Sequence, residues 1–185
     1  MTAFRPRTIV CMESFWESRL EDRLNVLPAL ELLEKTETCK YIHLSCNTTA
    51  ELEYNLRLVS QRRPGVLYLA FHGSPGKIHV GKRTKLPLDD LAEMMGERFK
   101  NWIIHLGSCG VFRAPSAVAR FAEETQASLV TGFTTQVGWL ESTSFELLLF
   151  QQFATYRSPR IICRNILRKH SEFAEQLGFR HYPEY

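Results

Sequence analysis

Val66-Leu67-Tyr68-Leu69-Ala70-Phe71-His72-Gly73-Ser74-Pro75-Gly76 is the stretch on which the fold turns. Six successive apolar side chains leave no polar face. A strand built from them is covered on both sides, as the inner strands of a parallel sheet are. The His72-Gly73-Ser74-Pro75-Gly76 string then ends it abruptly. A similar ending lies downstream, where Trp102-Ile103-Ile104-His105-Leu106 runs into Gly107-Ser108-Cys109-Gly110.

Working outward, Thr8-Ile9-Val10-Cys11-Met12 reads as a first strand and Lys40–Ser45 as a second. Leu20, Leu24, Leu27, Leu30 and Leu33 recur every three or four positions and predict an amphipathic helix over 17–34. Asn47-Thr48-Thr49 offers a cap to a helix over 50–61, which Pro64-Gly65 stops. Residues 77–86 have β character around a Gly-Lys-Arg turn and predict a small hairpin. Helices are predicted over 88–95, 115–124 and 142–155, and a fifth strand over 128–133. A last helix is predicted over 159–177, with an extended piece at Arg160-Ile161-Ile162. This alternation of strands and helices predicts an α/β fold: a three-layer, open, mainly parallel sheet with helices on both faces. No repeat or linker divides the chain, so residues 1–185 read as one domain.

The 185 residues suffice for one domain with a full core. The 44% hydrophobic and 23% charged fractions are those of a globular protein. Net charge is +3, and the basic residues are scattered in short groups rather than a stripe, which speaks against nucleic acid as a partner. No apolar run approaches the roughly 20 residues that span a bilayer, and the start lacks the apolar core of a signal peptide. A cytoplasmic protein with no membrane partner is expected. The five cysteines are odd in number and contain no CxxC pair, so neither a disulfide framework nor a zinc site is expected. No metal or other cofactor is called for.

Sites in open parallel sheets form at the carboxyl ends of the strands. If the strands ending at His72 and at Cys109 are neighbours, an imidazole base and a thiol nucleophile share one rim. An imidazolium beside a thiol favours the nucleophilic thiolate. The glycines let the chain turn sharply, and the backbone amides of Gly73 and Cys109 become candidate donors to an oxyanion. Gly107-Ser108-Cys109-Gly110 is not a serine-nucleophile elbow, because no glycine stands two residues after the serine. His105 reads as a hydrogen-bonded core residue. His43 and Cys46 approach the same rim if the strand order is 2-1-3-4. His79 falls in the hairpin, and His170 and His181 in the C-terminal helical part. Phe145, Leu148, Leu149, Phe150 and Phe153 form a stripe that suits core packing.

The run LYLAFHG, a hairpin, the helix start Leu86-Pro87-Leu88-Asp89-Asp90-Leu91 and then IIHLGSC is similar to the CHAT branch of caspase-like cysteine peptidases. There a histidine follows a strand of the type L-H-L-A-C-H-G, and a cysteine one of the type L-S-A-C-x-T-G. The likeness covers roughly Arg7 to Thr155. After Cys109 this chain reads Gly-Val-Phe-Arg instead of x-Thr-Gly, and of the caspase string Q-A-C-[RQG]-G only Cys109-Gly110 is matched. The resemblance implies a caspase-like fold and a cysteine endopeptidase. His72 would act as general base and acid and Cys109 as nucleophile, through an acyl-enzyme and without a metal. It implies a protein or peptide substrate, a role in a regulated response such as defence or cell death, a separate regulatory protein and a possible homodimer. The loop after the fifth strand would line the substrate pocket, with Glu141 pairing with a basic side chain and Trp139 as a wall. Two other readings stand beside it. One is a catalytically idle domain that serves as a protein-interaction module. The other is a small-ligand domain, although no G-x-G-x-x-G or Walker string is present.

Overall fold

The computed structural model describes residues 7–16 and 24–185. A six-stranded sheet runs through the middle, built from β1 (Thr8–Glu13), β2 (Lys40–Ser45), β3 (Val66–Ala70), β7 (Ile103–Leu106), β8 (Leu129–Phe133) and β9 (Phe179–Tyr182). Its order is β2-β1-β3-β7-β8-β9, parallel throughout except for antiparallel β9 at the edge. A second, antiparallel sheet of three strands is formed by β4 (His72–Ser74), β5 (Lys77–Val80) and β6 (Thr84–Pro87). The helices are α1 (Leu27–Lys35), α2 (Thr49–Val59), α3 (Leu88–Met95), α4 (Pro115–Thr125), α5 (Trp139–Thr155), α6 (Pro159–Lys169) and α7 (Ser171–Gln176).

Side chains on a strand alternate between faces, and here each face feeds its own core. Val10, Met12, Leu67, Leu69, Ile104 and Leu106 pack with α2, α3 and α4. Ile9, Cys11, Val66, Tyr68, Ile103 and Leu129 pack with α1, α5 and α6. Every residue of β3 is buried, as its unbroken apolar run requires. The fold is therefore α/β, with helices on both faces of a mainly parallel sheet. No helix among the described residues is long and apolar enough to cross a membrane.

Several elements differ from their sequence signals. The helix expected over 17–34 is present only from Leu27; Leu24 lies outside it, and 17–23 are not among the described residues. Pro28 explains the start, since proline suits the first turn of a helix, where its missing N–H costs no bond. The first turn of α5 takes in Trp139 to Glu141, which were expected in a loop. Arg160-Ile161-Ile162 is helical in α6, not extended, because Pro159 opens that helix. The chain after Thr155 makes two helices and a strand, so His181 is in β9 rather than a helix. The hairpin of 77–86 is present as β5 and β6, and β4 adds a third strand to it starting at His72. At α2 the expected cap is Thr48. Its hydroxyl accepts from Glu51 N at 3.2 Å and the Glu51 carboxylate accepts from Thr48 N at 3.0 Å, a reciprocal box.

Candidate active site at the carboxyl end of the sheet

β3 and β7 are direct neighbours, paired from Val66↔Ile103 to Leu69↔Leu106. The two glycine-rich endings therefore leave the sheet side by side. They touch at Gly73, where a Cβ would stand 2.7 Å from each of Cys109 O, Ser108 Cβ and Val111 Cγ2. Only glycine allows this approach, and it draws the turn after β7 against β4. Gly110, at φ 65° in the left-handed region, lets the chain reverse just after Cys109.

His72 and Cys109 line one cavity of about 120 Å³. By the same measure a single water needs roughly 10–15 Å³, so this space is several times larger than one water requires. Cys109 is partly exposed, whereas the other four cysteines are buried. Burial pushes the Cys163 thiol up to about 12 and the Cys39 thiol to about 11, and raises Cys11 and Cys46 as well. Those four thiols are held in the protonated, unreactive form at neutral pH.

The imidazole and the thiol do not hydrogen-bond to each other. His72 Nε2 lies 2.6 Å from Trp16 O, and the Trp16 indole meets the His72 ring edge-on at 5.1 Å between centroids. A carbonyl only accepts, so Nε2 carries the proton and Nδ1 of the neutral ring is the free base. The Cys109 thiol points to Val137 O at 3.8 Å. The Cys109 N–H has no acceptor among the described residues, which leaves it available to an oxyanion. Trp16 is itself held in place: its indole N–H donates to Glu13 Oε1 at 2.5 Å, and Glu13 Oε2 meets His43 Nε2 at 2.6 Å. His43 thus reaches the rim as a partner of Glu13. Cys46 is buried and receives a hydrogen bond from the Asn55 amide at 3.2 Å.

Beneath the cleft lies a buried polar cluster that sequence reasoning had only in part. His105 is fully buried, as expected of a core histidine, between Thr131 Oγ1 at 2.8 Å and Glu146 Oε1 at 3.0 Å. Tyr68 donates its hydroxyl to Glu146 Oε2 at 2.6 Å. Burial and the Glu146 carboxylate raise the Tyr68 phenol well above its ordinary value, so it stays a donor. Glu146 also lines the cavity. Its signal in the sequence is faint: Thr143, Glu146, Phe150 and Phe153 fall on one face of α5 by helical spacing, one carboxylate among aromatic side chains. Trp16 O had no such signal, since a backbone carbonyl contributes nothing to a side-chain pattern.

Trp139 lines the cavity, and its indole N–H is buried without a partner among the described residues. Glu141 does not line it. This residue is exposed in the first turn of α5, where its carboxylate folds back so closely on Gly138 that a Cβ there would lie 2.1 Å from Oε2. His79 bonds Ser74 Oγ at 2.9 Å within the small sheet, away from the cavity lining.

No curated protein matches the chain. The model of the family of unknown function DUF6642 matches residues 6–183, nearly the whole length. The chain belongs to the DUF6642 family.

Proposed function

We propose that this protein is a caspase-like cysteine endopeptidase whose dyad is His72 and Cys109. The observation that carries the reading is the adjacency of β3 and β7, which sets both side chains on one cavity. The mechanism follows from the donors and acceptors. Nδ1 of His72 takes the Cys109 proton while Trp16 O holds Nε2–H and fixes the ring. The thiolate attacks the scissile carbonyl carbon, and the oxygen gains the charge that the Cys109 amide meets. The imidazolium then protonates the leaving amine, so the peptide bond breaks and an acyl-enzyme remains. Water, deprotonated by His72, cleaves the thioester and restores the thiol. Catalytic hydrogen bonds are commonly long before substrate binds, which accommodates a thiol and imidazole that are not yet bonded. By the resemblance, the substrate is a protein and a separate chain governs the activity in a defence or cell-death response.

The test is alkylation by iodoacetamide over a pH series, read by peptide mass, in the unmutated chain, Cys109→Ala and His72→Ala. Cys109 is expected to react first of the five thiols and to slow about tenfold or more at neutral pH in His72→Ala. Equal rates for Cys109 with and without His72 would overturn the dyad, leaving an idle domain as the better description.

A further inference from the structure

We infer that Glu146 is the floor of a substrate pocket for a cationic side chain, so that cleavage follows arginine or lysine. The inference rests on the dyad reading for its scissile bond, but the pocket's chemistry is independent of it. A carboxylate that is 3% exposed and yet lines a cavity is costly to bury unless it has partners. Glu146 has two, Tyr68 and His105. A carboxylate offers about four lone-pair positions, so acceptor capacity remains on the cavity side. Among the described lining residues there is no lysine or arginine, and His72 is already committed to Trp16 O. Trp16, Trp139 and Val137 line the same cavity. A lining of indole and aliphatic groups suits the aliphatic stem of a side chain whose cationic head meets the carboxylate.

The position of the carboxylate relative to the nucleophile also fits. Gly107 lies two residues before Cys109, and a Cβ on it would stand 2.8 Å from Glu146 Oε1. The charge therefore sits directly under the turn that presents the thiol. Glu141, the acidic residue that sequence reasoning placed in this role, lies outside the lining. A fixed carboxylate of this kind also rejects an acidic substrate side chain by like-charge repulsion.

Peptidyl chloromethyl ketones ending in arginine, lysine, norleucine and aspartate alkylate a reactive cysteine with loss of chloride, and their rates at Cys109 are read by intact mass. The arginine and lysine probes are expected to outpace norleucine by about 30-fold or more, with aspartate slowest. Glu146→Gln is expected to bring the arginine-to-norleucine ratio close to one. Equal arginine and norleucine rates at a Cys109 that iodoacetamide still singles out would overturn the pocket and leave the dyad standing. A measurement that needs neither a variant nor a reactive thiol closes the gap. Butylguanidinium is expected to raise the thermal midpoint of the unmutated chain more than neutral butylurea at equal concentration. Equal shifts from the two would overturn the inference whatever the state of Cys109.

Discussion

On one face of the sheet Met12, Leu69 and Leu106 stand in register across β1, β3 and β7; on the other, one position back, the row is Cys11, Tyr68, His105 and Thr131. The first row packs into an apolar core against α2, α3 and α4. The second carries a phenol, an imidazole and a hydroxyl that converge with Glu146 of α5. The His105 ring is also wrapped by aromatics, stacked on Tyr68 at 5.4 Å and met edge-on by Phe133 and Phe150. Apolar residues of similar volume commonly stabilise such a site as well as a buried ionic cluster does, or better. Stability alone therefore does not account for the second row. Its place directly under the cleft fits the proposed pocket, in which a buried carboxylate would meet a cationic side chain.

The contrast breaks most visibly when one member of the cluster is removed. Glu146→Ala removes the buried partner of the Tyr68 hydroxyl and of His105 Nε2, and should cost about 3–5 kcal/mol in urea unfolding. Leu106→Ala on the opposite face should cost about 2–5 kcal/mol, through a cavity instead. The two losses come apart in rescue. Tyr68→Phe combined with His105→Leu and Glu146→Leu should recover most of the stability and abolish any preference for cationic probes. If that triple variant stays as unstable as Glu146→Ala, the cluster is structural and the comparison of the two faces fails.

The apolar row was plain in the sequence and the polar one was not, for a physical reason. Val66 to Phe71 carries its two-sided burial in composition alone, because every side chain in it is apolar. Glu146 is visible only once α5 is placed on a helical wheel, where the dominant aromatic signal of Phe145, Phe150 and Phe153 conceals a single carboxylate. Adjacency of the strands that end at His72 and Cys109 was a condition that periodicity could state but not decide, since it depends on sheet order. The edge strand β9 escaped because Phe179-Arg180-His181-Tyr182 is short and mixed, although Gly178 at φ 61° marks the turn that frees it from α7. The carbonyl of Trp16 that orients His72 is invisible to any reading of side chains.

A smaller effect sharpens the comparison at the point where the polar face meets the cleft. An added Cβ at Gly107 would lie 2.4 Å from Tyr68 Cε2 as well as against Glu146. The Tyr68 ring is locked among Phe150 and His105 and cannot swing away. Gly107→Ala should therefore cost about 1–3 kcal/mol by overpacking, and move the 107–110 turn enough to slow Cys109 alkylation. Unchanged stability and unchanged alkylation together would mean that the cluster is looser than its contacts indicate.

The smallest expected effect concerns a buried thiol on the same face, Cys163 of α6, which has no hydrogen-bonded network around it comparable to that of Glu146. Burial raises its folded value from 9.0 to about 12. The unfolded thiol ionises first as pH rises, so the folded chain binds the proton more tightly and its stability is full below pH 9. From there it declines through the window up to about 12. By pH 10 the loss from this one group is about 1.4 kcal/mol, one unit at the conversion between pKa and free energy. Urea midpoints at pH 8 and pH 10, measured under reducing conditions, should show a fall that Cys163→Ala reduces by about this amount. The same fall in both proteins would remove Cys163 as its source. It would leave the alkaline sensitivity of this face to Cys11, Cys39 and Tyr68, whose values burial also raises.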